Sequence, residues 1–342
     1  MPGAASSGWP KQLSELDLTL AVWDYDRTRA LQDGRIKPEG IALRFLPLGM
    51  PESFFRMLRH AEFDASEMSL SWYTRTVFSE PRPFIAIPVF PSRMFRHSSI
   101  YVHARSGIES PADLVGRRVG CPEYQMTAAV WVKGIMADHY GVPVNSVTYY
   151  TGGLREPGRR EVAMDLPPEI SVTPIPQDST LSAMLEGGEI DALYTAEMPS
   201  AFAEHSPNVR RLFPDYEHEE REYFKKTGIF PIMHTVVIRT DLLERHPWVA
   251  QSLAKAFAAA QQVAYRDLYE ATALKTMLPW LIAHVEATRE AMGSDDYWPY
   301  GIERNRVTLA TFLRYSHEQG LTPRRLEPDE LFAPSTLLTS RT

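Results

Sequence analysis

Short apolar runs rich in β-branched and aromatic residues recur along the chain, separated by polar or helix-patterned stretches. Residues 18–23 (LTLAVW) predict a first strand, followed by a polar loop at 24–29. Residues 41–46 predict a second strand. Residues 51–60 predict a helix with Pro51 in its first turn. Further strands are expected at 84–89, 99–104, 147–150, 171–175, 190–194 and 232–239. Helices are expected at 125–140, after a cap at Asp178 or Ser179 through Glu186, at 274–290 and at 305–318. The clearest helix is 249–268, where Val249, Leu253, Phe257, Ala260, Ala264 and Leu268 recur at spacings of three and four. Residues 152–168 are dense in Gly, Pro and charge and read as a long loop, and residues 1–16 as a loose tail. Strands alternating with helices imply an α/β protein with largely parallel sheets.

Composition narrows the picture. The chain has 342 residues, which suits two lobes around a cleft better than one average domain. With 44% hydrophobic and 23% charged residues it carries a sizeable core. A formal net charge of -7 leaves no basic field for nucleic acid, so an anionic ligand needs a local cationic cluster. The single cysteine, Cys121, permits no intramolecular disulfide. No stretch approaches the roughly 18 continuous apolar residues of a membrane span. The residues after Met1 lack the apolar core of a secretory signal. The expectation is a cytoplasmic protein without membrane or nucleic-acid partners, and with the C-terminal helices available for a homo-oligomer interface.

Several unusual strings occur together: YDRTRAL (25–31), EFDASEMSLSWY (62–73), PFIAIPVFPSRMFRHSSIYV (83–102), PEYQMTAAVW (122–131), TLSAMLEGGEIDAL (180–193), TGIFPIMHTVVIR (227–239), HPWVAQSL (246–253) and WPYGIERNR (298–306). Over roughly residues 18–332 the chain resembles the 4,5-dihydroxyphthalate decarboxylase family. The resemblance implies a two-lobed type-II periplasmic-binding-protein-like fold, each lobe a mixed, mostly parallel sheet flanked by helices, with extra C-terminal helices. It implies a discontinuous lobe one (1–118 and 232–342) with lobe two (119–231) inserted. The implied reaction is non-oxidative loss of one carboxylate from a dihydroxylated aromatic dicarboxylate, giving protocatechuate and carbon dioxide. A binding protein without catalysis shares the fold and is the alternative; another small-molecule enzyme on the same fold is a third reading.

Such a reaction makes definite demands. Direct departure of CO2 leaves an aryl anion that the π system does not stabilise, so the easier route protonates the ring carbon. A para hydroxyl supplies electrons. The site needs an acid aimed at carbon, a group that polarises or deprotonates a phenol, and cations for the retained carboxylate. The segment Ser92-Arg93-Met94-Phe95-Arg96-His97-Ser98 is the richest candidate, with His97 as acid or base and Arg93, Arg96 and Ser92 as binding groups; a solvated turn is its structural alternative. Arg27, after the first strand, is the first choice for a substrate carboxylate. Glu67, between Ser66 and Ser69, is expected after a strand and reads as a phenol base or as a capping or ion-pairing residue. His234, in an apolar strand, reads as catalytic or as packed core. Tyr124 and Thr127 precede or open a helix, as does Thr180, and suit an anion or plain capping. Glu67, His97 and His234 meeting in space would give a divalent-metal site, although no HxH, HExxH or paired-Cys spacing is present. No glycine loop or lysine context points to an organic cofactor, so no cofactor is firmly expected.

Overall fold

The computed structural model describes residues 15–162 and 164–337, so the expected tail at 1–16 lies almost wholly outside the described residues. In chain order the elements are β1 (Leu16–Ala21), α1 (Asp26–Gln32), β2 (Ile41–Leu46), α2 (Met50–His60), β3 (Ala65–Ser69), α3 (Leu70–Thr76), β4 (Phe84–Ile87), β5 (Ile100–His103), β6 (Arg118–Cys121), α4 (Thr127–Tyr140) and β7 (Thr148–Thr151). There follow β8 (Ser171–Pro174), α5 (Leu181–Gly187), β9 (Ala192–Tyr194), α6 (Ser200–Ala203), β10 (Val209–Arg211), α7 (Tyr216–Thr227), β11 (His234–Arg239), α8 (Thr240–Arg245), α9 (Trp248–Leu268), α10 (Leu281–Met292) and α11 (Arg306–Glu318). Among the described residues no helix is long and apolar enough to cross a membrane.

Two mixed sheets result. One has the order β2-β1-β3-β11-β4 and the other β10-β5-β9-β6-β7-β8. In the first, β1 pairs in parallel with β2 and β3, whereas β11 runs antiparallel to both β3 and β4. The parallel β1 and β3 end side by side, and the crevice at the carboxyl ends of such strands is where α/β folds hold ligands.

The topology corrects the expected lobe boundary. β5 already lies in the second sheet, so the first crossing falls between Ile87 and Ile100 and not at Arg118. The C-terminal part does not belong to lobe one alone. α11 packs on α4 of the second lobe, with Trp131 against Phe312 (5.5 Å) and Tyr315 (5.7 Å). A Cβ at Gly134 would run into the Tyr315 ring, so the glycine permits this close approach. Further on, Phe332 bridges to Ala86 in β4 and Leu331 accepts a bond from the Tyr73 hydroxyl. One continuous hydrophobic cluster therefore contains Met68 and Phe84 of lobe one, Val119 and Val130 of lobe two, and Phe312.

Two local expectations also change. Residues 24–29 are not a loop, because α1 starts at Asp26 and buries Thr28, Ala30 and Leu31 while packing on α9. Only tertiary burial rewards so short a helix. α7 escaped the hydrophobic pattern because its sequence, YEHEEREYFKKT, buries only Tyr223.

Candidate active site

Glu67 lies within β3, not after it, and its side chain is fully buried. In the antiparallel ladder Glu67 faces Val236, and His234 faces Ser69. Side chains alternate along a strand, so Glu67, Ser69, His234 and Val236 share one face of the sheet, and Glu67 and His234 are diagonal neighbours. Their side chains meet, with Glu67 Oε1 2.6 Å from His234 Nδ1. The same oxygen accepts the Tyr25 hydroxyl at 2.7 Å, while Oε2 accepts the Trp23 backbone N–H at 3.2 Å. Burial, reinforced by the Glu67 charge, raises the Tyr25 phenol well above its ordinary value, so it stays a protonated donor.

A carboxylate bonded to Nδ1 fixes the imidazole and leaves the other ring nitrogen for a ligand. Among the described residues Nε2 of His234 makes no hydrogen bond, and the side chain is 12% exposed. Phe54 of α2 packs edge-on against the ring at 4.9 Å, and Met50 Sδ lies 3.5 Å from the Tyr25 hydroxyl. The Glu67 end of the pair is thus shielded from water, while the imidazole keeps a small exposure.

Arg27 flanks this group. Its guanidinium is sandwiched between the rings of Tyr25 (4.1 Å) and Trp298 (4.3 Å). Nε donates to Pro91 O at 2.6 Å, and NH1 pairs with Asp26 at 3.0 Å. Trp298 in turn packs edge-on against Phe230 (5.2 Å), which lines a cavity of about 380 Å³ with Met94, Phe95, Tyr101, Met198 and Arg211. A larger cavity of about 610 Å³ lies along edge strand β2, lined by Asp17, Thr19, Lys37 and Arg44, and neither cavity is lined by Tyr25, Glu67 or His234.

The segment 92–98 behaves differently from its promise. Arg93 donates to Phe230 O (3.1 Å), Pro299 O (2.6 Å) and Asn305 Oδ1, tying the interlobe crossing to the C-terminal part. Arg96 is buried against the sulfurs of Met233 (3.2 Å) and Met94 (3.6 Å) and the hydroxyl of Ser99. His97 is caged by Phe213 (5.2 Å), Tyr223 (5.3 Å) and Tyr140 (5.8 Å), and both its ring nitrogens are buried without a partner among the described residues. Burial, with nearby His139 second, pushes its pKa down to about 4. His97 therefore does not join Glu67 and His234. Among the described residues no group of three or more His, Cys, Asp or Glu side chains is gathered for a metal ion. The expected three-ligand set is not assembled, because His97 projects into the aromatic packing of the second lobe.

The remaining expected residues divide in the same way. Ser69 caps α3 through Trp72 N and bonds Thr127 Oγ1 at 2.8 Å, so these two meet across the lobe boundary beside His234. Ser66 points to the other face of β3 and bonds Glu67 O. Thr180 caps α5 through Ala183 N. Tyr124 is buried, with its hydroxyl on Gln319 O (3.1 Å) and its ring beneath the Lys133 ammonium (3.0 Å). Lys133 also donates to Tyr124 O at 2.6 Å, and burial pushes its pKa down to about 7. The Cys121 thiol is pushed by burial up to about 12 and is packed, not reactive. Sequence reasoning missed Tyr25 as part of the network, although it opens the YDRTRAL string.

No family model matches the sequence. The 4,5-dihydroxyphthalate decarboxylase of Comamonas testosteroni is 41% identical over 326 residues, covering 95% of this chain and 98% of that protein. The protein of the same name from Pseudomonas putida is 41% identical over 217 residues, covering 63% of this chain and 84% of that protein. Among solved structures, the periplasmic sulfonate-binding protein SsuA from Methylobacillus flagellatus KT, described as a putative sulfonate transporter component, has a TM-score of 0.54 at 12% identity and covers 95% of this chain and 93% of its own. The aliphatic sulphonate-binding protein SsuA of Escherichia coli has a TM-score of 0.53 at 12% identity, covering 95% and 99%. At such identities the structural likeness speaks for the two-lobed binding-protein fold alone.

Proposed function

This chain belongs to the 4,5-dihydroxyphthalate decarboxylase family, and from that premise we propose that it is a carboxy-lyase converting 4,5-dihydroxyphthalate to protocatechuate and CO2. The observation that carries the reading is the buried Glu67 bonded to His234 Nδ1, with Nε2 left for a ligand. A histidine held in this way takes up and releases protons at one atom in a fixed direction.

The chemistry follows from that geometry. Protonated His234 donates its Nε2 proton to the ring carbon bearing the leaving carboxylate. The hydroxyl para to that carbon supplies electron density. The carbon–carboxyl bond then breaks, CO2 departs, and the bonding pair restores the aromatic ring. One proton is consumed per turnover, the substrate dianion becomes a monoanion, and solvent reprotonates His234. The Glu67 carboxylate stabilises the imidazolium before transfer, and the Tyr25 hydroxyl holds Glu67 in place. The donor is a protein side chain and the electron source is the substrate's own phenol. Activity is therefore expected to survive exhaustive chelation. Loss on chelation with recovery on adding a divalent ion would overturn this scheme.

The direct test incubates the purified protein with 4,5-dihydroxyphthalate and related aromatic acids and measures CO2 and aromatic product. Tight binding without turnover across the panel would favour a non-catalytic binding protein, the role named for its structural neighbours.

A further inference from the structure

The decarboxylase reading requires a cation for the carboxylate that the product keeps, and Arg27 is poorly placed for the task. Its Nε is committed to Pro91 O, its charge is partly met by Asp26, and two rings enclose its faces. Arg93 and Arg96 are committed to backbone, amide and thioether partners. Arg75 is different. It projects from α3 across the lobe boundary, and its one hydrogen bond among the described residues goes to a neutral acceptor, Gln125 Oε1. The acid that influences it, Glu161, instead accepts the backbone N–H of Gln125 at 3.1 Å. The guanidinium is half-buried and, among the described residues, carries its charge without a carboxylate partner, an arrangement that burial disfavours.

Unused donors converge around it. Gln125 is fully buried, and among the described residues its Nε2 has no partner. Two residues later α4 begins, and the first N–H groups of a helix have no acceptor within the helix. The Trp72 ring lies 5.3 Å from the guanidinium and offers an aromatic face. This cluster connects with His234 through Ser69 and Thr127. Ser69 faces His234 in the ladder, accepts from Trp72 N and bonds Thr127 of α4. Along α3, Arg75 lies roughly 9 Å beyond Ser69, a span that one arginine arm and one benzene ring bridge together.

From these observations we infer that Arg75, with Gln125 and Trp72, anchors the carboxylate retained in the product. The carboxylate that leaves is then held near His234 without a guanidinium of its own. That suits a group that must become neutral CO2, since a cation there would stabilise the ground state. Because the ligand joins a lobe-one helix to the lobe-two loop before α4, binding also draws the two lobes together.

This assignment rests on the decarboxylase reading, and calorimetric titration with protocatechuate and its methyl ester separates the two. Arg75→Met is expected to weaken protocatechuate by about 10- to 100-fold, and Arg75→Lys by less, because the ammonium keeps the charge and loses the planar fork. The uncharged ester should bind wild type and both variants alike. Equal losses for acid and ester, or no loss for the acid, would overturn the assignment. Gln125→Leu provides an independent variant that retains Arg75 and should also weaken the acid selectively. Wild-type protein that binds the acid through Arg75 but releases no CO2 would sink the reaction and leave the anchor standing.

Discussion

Two regions of this molecule hold the same kinds of side chain and use them in opposite ways. The sheet face at β3 and β11 gathers Tyr25, Glu67 and His234 so that each polar group meets another and one imidazole nitrogen stays available among the described residues. The crossing segment 92–98 holds Arg93, Arg96 and His97, yet its guanidiniums are tied to backbone and sulfur, and its imidazole is enclosed by three aromatic rings. His97 is buried, whereas His234 keeps a small exposure. His234 has a carboxylate to stabilise its charge, whereas the His97 cage offers neither acceptor nor counter-charge. Burial creates a chemical tool only when a partner comes with it.

The sharpest way to break the comparison is His234→Gln. Turnover should fall by about 10²- to 10⁴-fold with little change in KM, as expected for loss of proton transfer. Rates near wild type would place the acid elsewhere. Glu67→Gln should follow, with turnover down by about 10- to 10³-fold. The amide can present N–H to Nδ1 and thereby reverse the tautomer. Unchanged kinetics in this variant would reduce Glu67 to a packing role.

The crossing segment is expected to answer through stability. Arg93→Met leaves Phe230 O and Asn305 Oδ1 without their donor, while Pro299 O keeps the Asn305 amide, and the loss costs about 2–4 kcal/mol. Denaturant titration measures the loss, while turnover per folded molecule stays near wild type. A collapse of kcat in fully folded protein would return Arg93 to the active site.

The smallest effect belongs to His97→Phe, which should leave turnover within about twofold. Its signature is in the pH dependence of stability. Folded His97 stays neutral down to about 4, whereas the unfolded chain takes up that proton below the ordinary histidine value near 6.5. The unfolded state then binds more protons, so this contribution is present above pH 6.5 and is lost as pH falls toward 4. Between pH 7 and pH 5 wild type should lose about 2 kcal/mol that the phenylalanine variant keeps. Parallel pH profiles for the two proteins would show that the cage does not hold a neutral imidazole.

Much of the fold was legible in the sequence because burial leaves a local trace. The Val249, Leu253, Phe257 and Ala260 stripe marks α9, and those residues are fully buried in the structure. The strand at 41–46 coincides with β2, and that at 232–239 contains β11. Where the local trace was weak, the reading failed. Seven-residue α1 exists because it packs on α9, and α7 fully buries only Tyr223. The site was legible as a set of residue types and not as an arrangement. His97 and His234 both sat in unusual strings with apolar neighbours, and nothing local distinguished them. Arg75 and Gln125 drew no notice because each is ordinary in its own segment.

By itself, the sequence determined the alternation of strands and helices, the content of the core and the family, since all three are written in residue order. The tertiary structure alone decided which distant groups touch. Glu67 and His234 are 167 positions apart and meet because β11 returns antiparallel beside β3 in one register. A slip of one residue would turn Ser66 or Met68 toward the crevice and bury Glu67 on the wrong face. Register is set by the packing of whole layers, so the proton-transfer pair is a property of the assembled sheet and of neither strand alone.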